Sequence, residues 1–250
     1  MAESLKQDEA LISIGGVHIL YDASLIEHPD ASLFDINRQG QSATGMASGR
    51  SHAVFFSHQG NDLVLKHYER GGKIALLLGD KYLGRQIDRS RSFKEWRLLK
   101  KMKAMELPVP EPVAAKVAVS GPFYRADLIT REIKQAETLA DYLLRQNLDE
   151  EKWRAVGKCI RRFHDASVYH ADLNARNILL ANEGQSVEAE SVYLIDFDKG
   201  QFRYMSDNWK PANLARLQRS LNKFKTHNTS FYFEAVNWQQ LMAGYSGVDD

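Results

Sequence analysis

In the first half of the chain, short apolar runs alternate with polar positions and are separated by turn residues. HILYD (18–22), AVFF (53–56) and LVLKHY (63–68) each read as a strand, and HQGN (58–61) supplies hairpin chemistry between the last two. A Gly-, Ser- and Thr-rich stretch, GQSATGMASGRS (40–51), forms a loop feeding AVFF. Between Arg89 and Met105 the period changes: Phe93, Trp96, Leu99 and Met102 recur at helical spacing, with basic residues over much of the remaining surface. LPVPEPV (107–113) ends that helix, because each proline confines the residue before it to extended backbone. Two further strands follow, around Ala114–Val119 and Phe123–Ile129.

Beyond TREIKQAETLADYL (130–143) the pattern turns helical. Thr138 caps a segment through Leu144, and Trp153, Val156, Ile160 and Phe163 share one side of a helix over Glu150–His164. Two short buried strands, NILLA (177–181) and VYLIDFD (192–198), interrupt the helices. The tail from Trp209 is helical and basic, with Leu214, Leu217, Leu221 and Phe224 at a helical period. These elements predict an α+β chain of two lobes: residues 1–133 built on an antiparallel sheet, and residues 134–250 small and mainly helical.

Composition narrows the setting. The 250 residues carry a net charge of only +1, so no global field draws the chain to nucleic acid, and any preference for anions must come from local clusters. The single cysteine, Cys159, excludes an intrachain disulfide framework and reads as a packed thiol suited to a reducing compartment. MAESLKQDEALISIGG lacks the basic start and apolar core of a signal peptide, and no run reaches the length of a membrane span, so membrane contact is expected to be peripheral.

The chemistry concentrates in VYHADLNARNILL (168–180), where Asp172 and Asn177 stand five residues apart just before an apolar run. D-x-x-x-x-N alone is a weak signal, but Asp196 lies where a second buried strand ends, so adjacent strands can point Asp172, Asn177 and Asp196 into one pocket. Asn177 and Asp196 offer the oxygen ligands that Mg²⁺ prefers, too few to complete an octahedron, with water and substrate phosphates as the remaining ligands. Asp172 is then left to accept or orient a hydroxyl proton. That division of labour describes phosphoryl transfer.

Phosphoryl transfer also needs a cation on the nucleotide phosphates. Lys66 lies inside a strand where a lysine is otherwise poorly placed, and Glu95, on the following helix, is its natural counter-ion. Backbone amides of Gly49, Arg50 and Ser51 are candidates to cover phosphates.

The order of loop, lysine strand, glutamate helix, H-x-D-x-x-x-x-N and D-F-x resembles the protein-kinase-like superfamily. The wording YHADLNARNILL, YLIDFDKG, IRRFHDASVYH and NLARLQRSL is similar to its lipopolysaccharide kinase family, the kinases of 3-deoxy-D-manno-octulosonate (Kdo). The resemblance runs from about His18 to Phe224 and implies a two-lobed protein-kinase-like fold. It implies Asp172 as catalytic aspartate, Asn177 and Asp196 as metal ligands, Lys66 as phosphate lysine and Glu95 as its partner. It also implies ATP as donor, Mg²⁺ as cofactor, and a hydroxyl of Kdo on a lipid A precursor as acceptor, at the cytoplasmic face of the inner membrane.

The pattern departs from protein kinases in places. Only Gly45 and Gly49 remain of the nucleotide-loop glycines, and DFG has become DFD, with Asp198 at the glycine position. Asn174 stands two residues after the aspartate, where kinases acting on serine carry lysine, and Arg176 is the nearby candidate to supply the lost charge. No A-P-E follows, so a peptide-docking platform is not expected. His170 and His164 read as structural supports of the loop.

Two basic tracts favour an anionic acceptor and peripheral contact with an anionic leaflet. One runs through Lys81, Arg85, Arg89, Arg91 and Lys94; the other through Lys199, Arg203, Lys210, Arg216, Arg219, Lys223 and Lys225. Each reads equally well as a solvated helix face. Trp209, Phe231, Tyr232, Phe233 and Trp238 are either core or interfacial. Neither nucleic acid nor an obligate protein partner is expected. Competing readings are a heptose or small-molecule kinase of the same fold, and a non-catalytic scaffold that binds an anionic glycolipid.

Overall fold

In the computed structural model the described residues are 8–35, 45–46, 53–69, 82–83, 86–181, 192–204 and 206–247. The chain forms two compact units, residues 1–104 with 110–132 and residues 105–109 with 133–250.

The first unit is built on one antiparallel sheet. Its strands are β1 (Glu9–Ile14), β2 (Val17–Asp22), β3 (Gly45–Met46), β4 (Ala53–His58), β5 (Asn61–His67), β6 (Tyr82–Leu83), β7 (Pro112–Ser120) and β8 (Phe123–Arg131). They lie in the order β1-β2-β7-β8-β5-β4-β3, and β6 pairs with β8. The β4–β5 hairpin turns at Gln59 and Gly60, with φ of 48° and 74°; positive φ at both central residues matches the right-handed twist of the flanking strands. β1 was not among the expected strands, and its exposed Leu11 and Ile14 explain why its pattern does not read as core.

Helix α1 (Arg91–Ala104) packs on β7 and β8, with Phe93, Trp96, Leu99 and Met102 all buried. Leu63 and Leu65 of β5 enter a separate apolar cluster with Phe34, Phe56 and Ile129. Because successive strand side chains point to opposite faces, Lys66 is turned away from that cluster. This alternation decides where its ammonium can go.

The second unit contains β9 (Ala136–Thr138), α2 (Leu139–Leu143), α3 (Glu150–Asp165), β10 (Val168–Tyr169), β11 (Ile178–Ala181), β12 (Val192–Leu194), β13 (Gln201–Phe202), α4 (Trp209–His227) and α5 (Ala235–Ser246). Thr138 Oγ1 accepts from the Asp141 amide at 3.0 Å, and Asp149 Oδ1 from the Lys152 amide at 2.8 Å, so α2 and α3 both start on side-chain caps. Trp153, Val156, Ile160 and Phe163 form the buried face of α3. α5 crosses α3 backbone to backbone: a Cβ on Gly157 would fall 2.0 Å from the Leu241 carbonyl oxygen, and one on Gly244 2.1 Å from that of Arg154.

The tail is not one helix. It breaks after His227, Asn228 is extended, and Phe231 and Phe233 turn into the core before α5 begins. Trp209 is buried as well, so most of the late aromatics are core residues, and Tyr232 alone of the five is exposed. No helix among the described residues is long and apolar enough to cross a membrane.

Candidate active site

Lys66 sits in mid-β5, opposite Ala53 of β4 and Leu128 of β8. Its Nζ lies 3.1 Å from both carboxylate oxygens of Glu95, whose side chain is only 3% exposed. The Tyr68 hydroxyl donates to Glu95 Oε2, and the Lys66 ammonium lies 4.6 Å from the centre of the Tyr68 ring. Burying a carboxylate is costly unless it is paired and hydrogen-bonded, and here Lys66 and Tyr68 together meet that requirement. The result is a held ammonium that retains some solvent access, at 18%.

In the second unit the loop from His170 to Asn177 is knotted by its own polar groups. His170 Nε2–H donates to the Ile195 carbonyl at 2.9 Å while its Nδ1 accepts the Asp172 amide at 3.2 Å, a pair of contacts that requires the proton on Nε2. Asn177 is buried; its Nδ2 donates to the Asp172 carbonyl at 2.9 Å, and its own carbonyl accepts the Ile195 amide at 3.0 Å. The loop is thereby tied to the segment that ends in Asp196. Asp196 has φ of 62°, an unusual backbone for a residue with a side chain, sustained by the ordered turn that follows, where the Gly200 amide donates to the Phe197 carbonyl at 2.7 Å. Positive φ falls at Asp196 and Lys199, not at Asp198. Phe197 stacks on Phe163 at 5.6 Å and lies 4.6 Å from His170.

Helix α4 runs beside this loop and touches it repeatedly. Asn213 Nδ2 donates to the His170 carbonyl at 2.7 Å, Arg216 Nη1 meets Asp172 Oδ1 at 3.1 Å, and Ser220 Oγ accepts the Ala175 amide at 3.3 Å. The Arg176 guanidinium lies over the Phe224 ring at 5.3 Å. Behind Asn213, its Oδ1 accepts from His164 Nε2–H at 3.1 Å, and the Tyr245 hydroxyl donates to His164 Nδ1 at 2.8 Å. Burial pushes His164 from 6.5 down to about 4, although the Asn213 bond opposes the shift, and burial likewise raises Tyr245. Cys159 is packed, donates Sγ–H to the Val192 carbonyl at 3.3 Å, and is pushed up to about 12 by burial, so it is no nucleophile.

A family model described as the lipopolysaccharide kinase (Kdo/WaaP) family matches residues 35–245. The chain belongs to that family. Among relatives, the chain is 40% identical over 212 residues to the 3-deoxy-D-manno-octulosonic acid kinase of Actinobacillus succinogenes, covering 83% of this chain and 86% of the relative. It is 35% identical over 234 residues to the protein of that name in Photobacterium profundum, covering 93% and 96%. With that of Stenotrophomonas maltophilia it shares 39% over 208 residues, covering 83% and 81%. Among solved structures, WaaP in complex with acyl carrier protein superimposes with a TM-score of 0.53 at 16% identity, covering 90% of this chain and 88% of that one. The likeness assigns the α+β chain to the protein-kinase-like fold.

Within this lipopolysaccharide kinase, no group of three or more His, Cys, Asp or Glu among the described residues is arranged to hold a metal. The candidate pair is instead a carboxamide and a carboxylate. With Asn177 Nδ2 committed to the Asp172 carbonyl, its Oδ1 is the atom left to serve as ligand, a hard oxygen that suits Mg²⁺ as Asp196 does. Gly49, Arg50 and Ser51, expected to cover phosphates, lie outside the described residues, as do Lys81 and Arg85 of the first basic tract.

The sequence reading missed four contributors. Tyr68 was within reach of it, since a two-residue period puts it on the same face as Lys66. Asn213, Arg216 and Ser220 act on the loop from more than forty residues away, a relation that no local pattern carries. Arg176 does not supply the charge missing at Asn174: its guanidinium rests on Phe224, and among the described residues Arg216 is the cation that meets Asp172.

Proposed function

We propose that this protein transfers the γ-phosphoryl group of ATP to a hydroxyl of Kdo carried on a lipid A precursor, in lipopolysaccharide core biosynthesis, at the cytoplasmic face of the bacterial inner membrane. The observation that carries the reading is kinship over most of the chain with proteins named as kinases of this sugar acid. The two clusters support it, and residues 1–133 and 134–250 are taken as the working lobes.

In this reading the bond between the γ-phosphorus and its bridging oxygen breaks, a bond from phosphorus to the acceptor oxygen forms, and the hydroxyl proton passes to the Asp172 carboxylate. ADP leaves. Asp172 is 60% exposed on its side chain, so a hydroxyl can reach it. Lys66, steadied by Glu95 and Tyr68, neutralises nucleotide phosphates, and the amides of Gly49, Arg50 and Ser51 cover them. Asn177 and Asp196 would hold Mg²⁺, which supplies charge neutralisation at the phosphates when bound.

The test offers labelled ATP with Kdo-bearing lipid A precursor, heptosylated core or free sugars, and identifies any product by mass spectrometry. A monophosphorylated Kdo residue is expected. Label on heptose or a free sugar would redirect the reading to another acceptor, and nucleotide binding without Mg²⁺-dependent turnover would replace it with a scaffold. Asp172→Asn should lower kcat by about 10²- to 10⁴-fold, the span typical of a positioned acid or base, while ATP affinity stays nearly intact.

A further inference from the structure

We infer that Arg216 is the positioning cation of the transfer centre, borne by a distant helix in place of a charge within the loop itself; the inference rests on the reading of Asp172 given above. Two residues after Asp172 stands Asn174, whose Nδ2 reaches Asp172 Oδ2 at 3.1 Å and the Asp172 carbonyl at 3.0 Å, while its Oδ1 accepts the Arg176 amide at 2.8 Å. Those contacts shape the turn but bring no charge. Arg176, the cation nearest in sequence, is turned onto Phe224. Arg216 instead places Nη1 3.1 Å from Asp172 Oδ1, so the two carboxylate oxygens are held by different groups, one neutral and one cationic.

Two features separate this contact from an ordinary surface ion pair. The partners are about half-exposed, at 46% and 60%, so the pair contributes little to folding stability. Its geometry is nevertheless fixed from both sides, because Asn213 and Ser220, on the turns of α4 flanking Arg216, bond the same loop at the His170 carbonyl and the Ala175 amide. α4 is thus registered against the loop, and Arg216 is carried to Asp172 by that register. A guanidinium holds five donors in a planar fork, of which Asp172 takes one, and the rest can meet a phosphoryl oxygen without releasing the carboxylate.

The experiment measures steady-state kinetics of wild type, Arg216→Gln, Arg216→Lys, Arg216→Ala and Asp172→Asn with acceptor in neutral detergent micelles, alongside thermal melts. Arg216→Gln should lose about 10- to 100-fold in kcat, the usual effect of removing a group that orients a reacting one, with KM for ATP within about threefold and Tm unchanged. Arg216→Lys should retain more activity than Arg216→Gln, and added guanidinium should restore part of the kcat of Arg216→Ala. Full kcat in Arg216→Gln beside a dead Asp172→Asn would overturn this inference and leave the reading of Asp172 standing. An active Asp172→Asn would instead remove the reading on which it rests. A loss in Arg216→Gln that follows Tm, or a loss in Arg216→Ala that guanidinium does not relieve, would reduce Arg216 to a packing role.

Discussion

At the scale of residues, the chain buries titratable groups for position more than for chemistry. His164 is the clearest case: it is buried between Trp209 and Tyr245, accepts from the Tyr245 hydroxyl, donates to Asn213, and through Asn213 supports the His170 carbonyl. With the proton on Nε2 both ring nitrogens are satisfied in the neutral form, and burial disfavours the charged one. Its pKa in the fold is about 4 against 6.5 in the open chain. Above pH 6.5 neither state takes up the proton; between 6.5 and 4 the unfolded chain does and the native one resists, so stability falls on acidification through that window. The shift corresponds to at most about 3 kcal/mol, reached below pH 4. Urea melts from pH 7.5 to 4 should show the stability advantage of wild type over His164→Gln narrowing as pH falls. A gap constant across that range would mean His164 titrates normally in the fold.

At the scale of elements, polar chemistry is attached to units that the hydrophobic pattern places. Lys66 was readable because a lysine inside LVLKHY contradicts its apolar neighbours, and Glu95 because it shares a helix with Phe93 and Trp96, whose period sets the buried stripe. Asp172, Asn177 and Asp196 stand out for the same reason, as polar residues against the short apolar strands β11 and β12. Helix α4 was readable as a helix from Leu214, Leu217 and Leu221, but its role was not, since the period reveals which side is apolar and not which loop the polar side meets. The break between α4 and α5 falls in the polar stretch KTHNTS (225–230), after which Phe231 and Phe233 enter the core without helical spacing. The α3–α5 crossing also lay outside any pattern: Gly157 and Gly244 look like weak points in helices and are in fact where two backbones meet. Gly157→Ala should therefore destabilise the protein despite alanine's better helix propensity, by about 1–3 kcal/mol or more, the usual cost of overpacking. Chemical denaturation measures this directly; a stabilised Gly157→Ala would show that the helices separate freely.

At the scale of the whole molecule, a net charge of +1 makes any attraction to an anionic leaflet a matter of which cations are left unpaired. The second basic tract divides on that criterion. Lys210 pairs with Asp207 at 2.9 Å and Lys225 with Glu234 at 2.7 Å, Arg216 is engaged by Asp172, and Arg203 lies on the Tyr169 ring at 3.5 Å. Lys199, Arg219 and Lys223 are exposed and have no ion-pair partner among the described residues, and the last two lie one turn apart on α4. If the proposed peripheral attachment uses this helix, these two carry it, at about 1 kcal/mol each near an anionic surface. Arg219→Gln with Lys223→Gln should then weaken binding to vesicles containing anionic lipid by roughly 30-fold, with the wild-type affinity falling as salt is raised and binding to neutral vesicles unchanged. Co-sedimentation gives the affinities. Equal binding by wild type and the double variant would place attachment elsewhere on the surface, whereas turnover of micellar acceptor, for which the proposed groups are Asp172 and Arg216, should survive the same two substitutions.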